Sequence, residues 1–161
     1  MTAKGDSPRT LAIRLSKIIM AWTYRLGFWR RSVNRIIGAL LRLGVSPPHT
    51  YFLIVRGRKS GQSYSTPVTL VEENGERWLV APYGEVGWVR NARAAGRVTL
   101  MRARRSETVR IVELAAEDAA PVLKKYLTRY PVVRPFFDVT PNSNLREFAA
   151  EASRHPVFRI Q

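Results

Sequence analysis

The sequence predicts a mainly β fold with added helices (α+β): an antiparallel barrel of five or six strands behind an N-terminal helical extension. Three observations carry this. Residues 51–55 (Tyr-Phe-Leu-Ile-Val) are a strand-forming run, and similar short runs follow it, joined by turn residues. Asn74-Gly75 is the strongest two-residue hairpin signal in the chain. Residues 10–43 instead carry apolar side chains at the helical period. With 45% apolar residues among 161, the chain has enough to build a core.

Residues 1–9 read as a frayed polar tail. Thr10 is placed to cap a helix in which Leu11, Leu15, Ile18, Ile19, Trp22, Leu26 and Trp29 recur on one side. Gly27 interrupts it. A second helix over 31–43 ends at Gly44, and Pro47-Pro48 forbids its continuation. This divides the chain into an extension, 1–44, and a barrel domain, 45–161. After the strand at 51–55, residues 57–62 form a turn. A second strand covers 65–72, where Pro67 calls for an edge or bulge position. The third strand, 77–81, pairs back through Asn74-Gly75. A loop at 82–87 leads into a helix over 88–95 closed by Gly96. Strands at 98–103 and 107–114 form a hairpin turning through Arg104-Arg105-Ser106. A helix follows over 117–130 with Pro121 in its first turn, then one over 144–153, and 156–160 is a closing strand.

The chain has no cysteine, which excludes disulfides, thiolate metal sites and thiol nucleophiles and suits a reducing, cytoplasmic setting. His49 and His155 have no metal-ligand spacing around them; no metal site is expected, and both read as structural. The net charge of +15 favours anionic partners. Its distribution is uneven: no Asp or Glu stands between Asp6 and Glu72, a stretch rich in arginine. No uncharged run is long enough to span a bilayer, and arginines interrupt every candidate signal-peptide core.

Two motifs carry chemistry. Gly57-Arg58-Lys59-Ser60-Gly61 sets two cations and a hydroxyl between glycines. Glycines permit a tight turn whose successive N–H groups can cradle an anion; arginine offers a planar fork and lysine a point charge. The same residues also suit a plain solvated hairpin turn. The second motif, residues 81–91 (Ala-Pro-Tyr-Gly-Glu-Val-Gly-Trp-Val-Arg-Asn), ends a strand, turns on glycines and starts a helix, whose N-terminus attracts anions. Alone, Trp88 reads as core packing, and Arg90 and Asn91 as a helix's outer face.

In this order and spacing, the buried strand, the GRKSG turn, the Pro-containing strand, the hairpin, the "LVAPYG" strand end and the "WVRNARAAG" helix resemble the deazaflavin-dependent nitroreductase family. These are split β-barrel, FMN-binding-like oxidoreductases that use coenzyme F420. The resemblance runs from about Tyr51 to Leu100 and faintly to the C-terminus. It implies that Arg58, Lys59, Ser60 and Gly61 hold the cofactor's phosphate end, and that Thr66 and Pro67 line the adjacent strand. Ala81, Pro82, Tyr83 and Gly84 face the ring, and Trp88, Arg90 and Asn91 complete the pocket. The implied reaction is hydride transfer from reduced F420, with FMN as the alternative cofactor. The acceptor is a lipophilic small molecule (quinone-like, nitro or enone), and a homodimer is in keeping with such barrels. Tyr83 and Tyr130 are the candidate catalytic residues.

The sequence departs from the family pattern in three places. Tyr64 stands where better-known members have an arginine. The loop around Gly84-Glu85 lacks the lysine those members carry, a charge Arg90 is placed to replace. In the stretch 130–137, Tyr130 is the one tyrosine left of several. These losses favour, as the alternative function, a non-catalytic barrel that binds the cofactor or a fatty acid or lipid. Residues 10–43 have the composition of an interfacial helix on an anionic membrane, the inner face of the cell membrane in this reading. No nucleic-acid-binding motif is present, so no nucleic acid is expected as a partner.

Overall fold

The computed structural model describes residues 49–103 and 105–161. The tail, helices, caps and membrane-facing surface expected over residues 1–48 lie outside the described residues. Among those described, six antiparallel strands close a barrel in the order β1-β2-β3-β6-β5-β4. They are β1 (Thr50–Arg56), β2 (Ser63–Glu73), β3 (Glu76–Val80), β4 (Arg97–Arg102), β5 (Arg105–Glu113) and β6 (Val157–Ile160). Helix α1 (Gly87–Ala95) separates β3 from β4. Helix α2 (Ala116–Arg129), a 3-10 turn (Pro131–Phe136) and α3 (Leu145–Glu151) separate β5 from β6. β1 pairs with both β2 and β4, which closes the ring.

Strand alternation sorts the side chains into two cores. Leu53, Val68, Leu70, Leu79, Leu100 and Phe158 point inward, and Val89 and Ala92 of α1 close this interior cluster. On the outside of β2, β3 and β6, Val71, Trp78, Val80 and Val157 are covered by Leu123, Tyr126, Leu127 and Phe148. α3 starts with a capping box: the Asn144 side chain accepts from the Glu147 N–H while the Glu147 carboxylate accepts from the Asn144 N–H. α2 places Glu117 and Asp118 in its first turn, where the helix dipole favours them.

The Asn74-Gly75 hairpin forms as expected, both residues having positive φ (51° and 80°), which matches the right-handed twist of β2 and β3. The turn sets Glu73 opposite Glu76, a like-charge pair balanced by Lys125 on Glu73 and Arg159 near Glu76. The β4–β5 turn is tighter than expected. Arg102 pairs with Arg105, and Ala103 takes φ 53°, so Arg105 and Ser106 belong to β5 instead of the turn. A two-residue connection of this hand suits strand twist, but no Gly, Asn or Asp announces it. The sequence analysis places no element over 131–136, where the structure has the 3-10 turn; Pro131 occupies its first turn, where no N–H is needed.

Removing a fully buried side chain from this interior leaves a cavity in a closed ring. Leu53→Ala is expected to cost about 3 kcal/mol and Asn144→Ala about 1 kcal/mol in urea unfolding of the full chain. Equal, negligible losses for both would contradict the assigned core and cap.

Candidate functional site

β2 has eleven residues and β3 only five. Pairing between them starts at Leu70↔Leu79, whereas β2 pairs with β1 from Ser63 to Thr69. Among the described residues, 63–69 therefore have a strand on one side only. At 3.3 Å per residue this open edge is about 20 Å long. Pro67 lies in it, opposite Phe52, where its missing N–H costs the ladder least. The pleat sends Thr66 toward the interior, with Val68 and Leu70, and Pro67 to the outside.

Residues 81–91 connect β3 to helix α1. Past Val80 the chain leaves β2, with the Ala81 N–H held by Pro156 O at 2.9 Å. It returns at Asn91, whose side-chain oxygen accepts from the Arg58 backbone N–H (3.2 Å) and from Arg58 Nη1 (3.1 Å). Asn91 is buried, so this carbonyl is desolvated and needs those donors. The two motifs lie 33 residues apart in sequence and meet here. Arg93 fixes the intervening loop, bridging Glu85 to Glu113, the latter at 2.6 and 2.7 Å.

The basic turn is preformed. Gly57 N–H donates to Gln62 O (2.7 Å), Gly61 N–H to Gly57 O (2.8 Å), and Gln62 N–H to Ser60 Oγ (3.3 Å). Gly61 takes φ 67°, the left-handed region. Tyr64 does more than mark a lost arginine. Its hydroxyl lies 3.2 Å from Ser60 Oγ, and its ring covers Gly57 so closely that a Cβ there would fall 2.5 Å from Tyr64 Cε2. With those amides engaged, the backbone N–H groups of Lys59 and Ser60 at the apex are unpaired among the described residues. Two adjacent free amides between the Arg58 and Lys59 side chains, all exposed, suit a phosphate.

The other expected residues are distributed as follows. Ala81 faces the interior, Pro82 is buried, and Gly84 turns with φ 79°. Trp88 is half-buried and packs on Phe158, 6.0 Å between ring centroids, so it closes the barrel end as well as bordering the groove. Arg90 is exposed, and its charge acts on Glu85. Tyr83 meets Phe136 edge-on at 4.8 Å. Together they line a hollow of about 220 Å³ with Pro82, Gly84, Arg154 and His155. Tyr130 packs against the buried Tyr126 and donates its hydroxyl to Leu70 O at 3.1 Å, where β3 leaves β2. Burial raises the pKa of both phenols, so Tyr130 keeps its proton at neutral pH.

Three features were not singled out from sequence. Tyr64 locks the turn. Arg97 faces Arg110 across β4 and β5, and the β1–β4 register carried two residues on brings Arg56 to the same row, so the cationic turn borders further arginines. His155 is buried beside Glu151, an i,i+4 pair that is legible in the sequence although it went unread.

A family model described as F420H(2)-dependent quinone reductase matches residues 27–135. No curated protein matches. Among solved structures, one titled as an F420-H2 dependent reductase (FDR-A) is 24% identical, with a TM-score of 0.51 over 71% of this chain and 95% of its own. A second, titled as a domain-swapped dimer, is 22% identical, with a TM-score of 0.53 over 83% of this chain and 97% of its own. A protein of unknown function from Agrobacterium tumefaciens, Atu2129, is 15% identical, with a TM-score of 0.53 over 70% of this chain and 48% of its own. At these identities the structural matches establish the shared split-barrel fold.

The packing of Tyr64 on Gly57 gives a direct check on the turn. Gly57→Ala should displace the Tyr64 ring and free the Lys59–Ser60 apex, seen as new resonance positions for residues 57–64 with the rest of the spectrum unchanged. A spectrum unchanged at 57–64 would contradict the close approach.

Proposed function

Because the chain belongs to the F420H(2)-dependent quinone reductase family, an oxidoreductase family whose cofactor is coenzyme F420, we propose that it passes a hydride from reduced F420, held along the open edge of β2, to a lipophilic acceptor. The acceptor is quinone-like in the first instance, with nitro compounds and enones as members of the same electrophilic class. When bound, the cofactor supplies the hydride; the protein supplies binding, orientation and shielding from water.

The observation that carries this reading is the Arg58–Asn91 tie, which joins the basic turn to the 81–91 motif; both belong to the proposed cofactor site. Arg58 and Lys59 neutralise the phosphate, with the Lys59 and Ser60 amides completing its hydrogen bonds. Asn91 holds Arg58 so that little side-chain entropy is lost on binding. Residues 81–84 lie against the ring, and Gly84 allows its close approach. Trp88 shuts the barrel end to water. Tyr83 and Tyr130 are proposed as proton donors to the reduced acceptor. Tyr83, in the open hollow beside Phe136, is the better placed, since the Tyr130 hydroxyl is engaged with Leu70 O. A homodimer belongs to the same proposal and is supported by the domain-swapped dimer that this chain resembles. Among the described residues no helix is long and apolar enough to cross a membrane.

Arg58→Ala with Lys59→Ala should weaken binding of oxidised F420 at least tenfold in fluorescence titration, about 1.4 kcal/mol or more. Unchanged affinity would contradict the phosphate grip. Tyr83→Phe should lower kcat for menadione reduction by about 10²-fold with little change in cofactor affinity, as befits a lost general acid. A normal kcat would remove Tyr83 from that role.

A further inference from the structure

We propose that His155 is a positioning residue: held neutral behind Pro82, it fixes residues 81–84 in their ring-facing arrangement, and its protonation loosens them. The proposal rests on the cofactor reading above. His155 is 4% exposed and stacks on Phe137, with 3.9 Å between centroids and 21° between planes. Nε2 lies 3.1 Å from Glu151 Oε2, and the imidazole faces the backbone of Ala81 and Pro82, but neither ring nitrogen has a well-aligned hydrogen bond. An apolar ring in this space would spare the cost of burying two poorly aligned nitrogens. The histidine therefore makes the site sensitive to protons at the expense of stability.

The link to residues 81–84 is direct. The Ala81 N–H donates to Pro156 O, the next residue along. Gly84 sits against the Arg154 carbonyl, the preceding residue, so closely that a Cβ would lie 3.2 Å from that oxygen. His155 thus stands between Pro156, which bonds Ala81, and Arg154, whose carbonyl Gly84 approaches closely. The charged and titratable groups around it are Glu151 and Arg154 on its own segment, Asp138 beyond the 3-10 turn, and Tyr83 in the facing loop. Arg154 holds both Glu151 oxygens at 3.1 Å and Asp138 at 2.5 Å. A proton on His155 creates a cation beside the Arg154 guanidinium. It competes for Glu151, and the residue displaced is the one whose carbonyl supports Gly84.

The sign follows from burial. Burial lowers the imidazole pKa below 6.5, and Glu151 opposes this in part. The unfolded or loosened chain takes up the proton first, so the clamp is complete above pH 6.5 and is lost as pH falls through the folded value.

The test uses the full chain, first without cofactor. Between pH 8 and 5, the Ala81 and Gly84 amide resonances should shift with the same midpoint as the His155 ring proton, below 6.5. In His155→Phe, shown to be folded by circular dichroism, both amides should stay flat; if that variant does not fold, His155→Gln serves, being neutral at every pH. In a second arm, affinity for oxidised F420 should fall several-fold more between pH 7.5 and 5.5 in the parent than in the variant, a comparison that cancels the ligand's own ionisation. A Gly84 amide indifferent to the His155 titration, or identical pH profiles of affinity, would overturn the proposal. If neither protein binds F420 at any pH, the cofactor reading fails, and the amide titration alone still decides the role of His155.

Discussion

An eleven-residue strand beside a five-residue one leaves residues 63–69 paired on one side only among the described residues, and the rest of the site depends on that mismatch. β3 stops at Val80, and there the chain leaves β2. It leaves as the strand end 81–84 and a loop, enters helix α1 on β1 and β4, and meets the basic turn again at Asn91. An open edge is normally a hazard, inviting another chain to add a strand. Here Pro67 blunts it, while α1 packs on β1 and β4 and closes the barrel interior.

The two ends of the open edge are fixed by different physics. At the Leu70 end the hold is mainly apolar: Tyr130 and Tyr126 pack there, and the Tyr130 hydroxyl caps a ladder carbonyl. At the other end a buried amide oxygen on Asn91 draws in both the backbone and the side chain of Arg58. Satisfying that oxygen takes the Arg58 amide out of play, and internal bonds take those of Gly57, Gly61 and Gln62. What remains for an anion is small and specific: the Lys59 and Ser60 amides and two cationic side chains. In the proposed role, the hydrogen bonds within the turn hold it in place before a ligand arrives.

Much of the fold was legible because its signals are local. Asn74-Gly75 fixes the left-handed residues of one hairpin, Pro67 marks the edge, and Asn144 with Glu147 writes a helix start. The β4–β5 turn was misread because Ala103 adopts a positive φ that its composition does not announce. The 3-10 turn was missed because prolines that break an α-helix can begin a tighter one. In the site, residue types were legible but partners were not. Arg58 and Asn91 could each be singled out, yet only the folded ring brings them together. Tyr64 read as a missing charge because its value lies in contact with Gly57. His155 read as structural because burial and poorly aligned nitrogens are properties of packing.

The central claim is that the cofactor lies along the open edge, with its phosphate at the turn apex. Amide hydrogen exchange with and without oxidised F420 tests this most directly. Slowed exchange confined to Lys59, Ser60, residues 63–69 and residues 81–91 is the expected result. Protection elsewhere on the barrel, with the Lys59 and Ser60 amides unchanged, would contradict it.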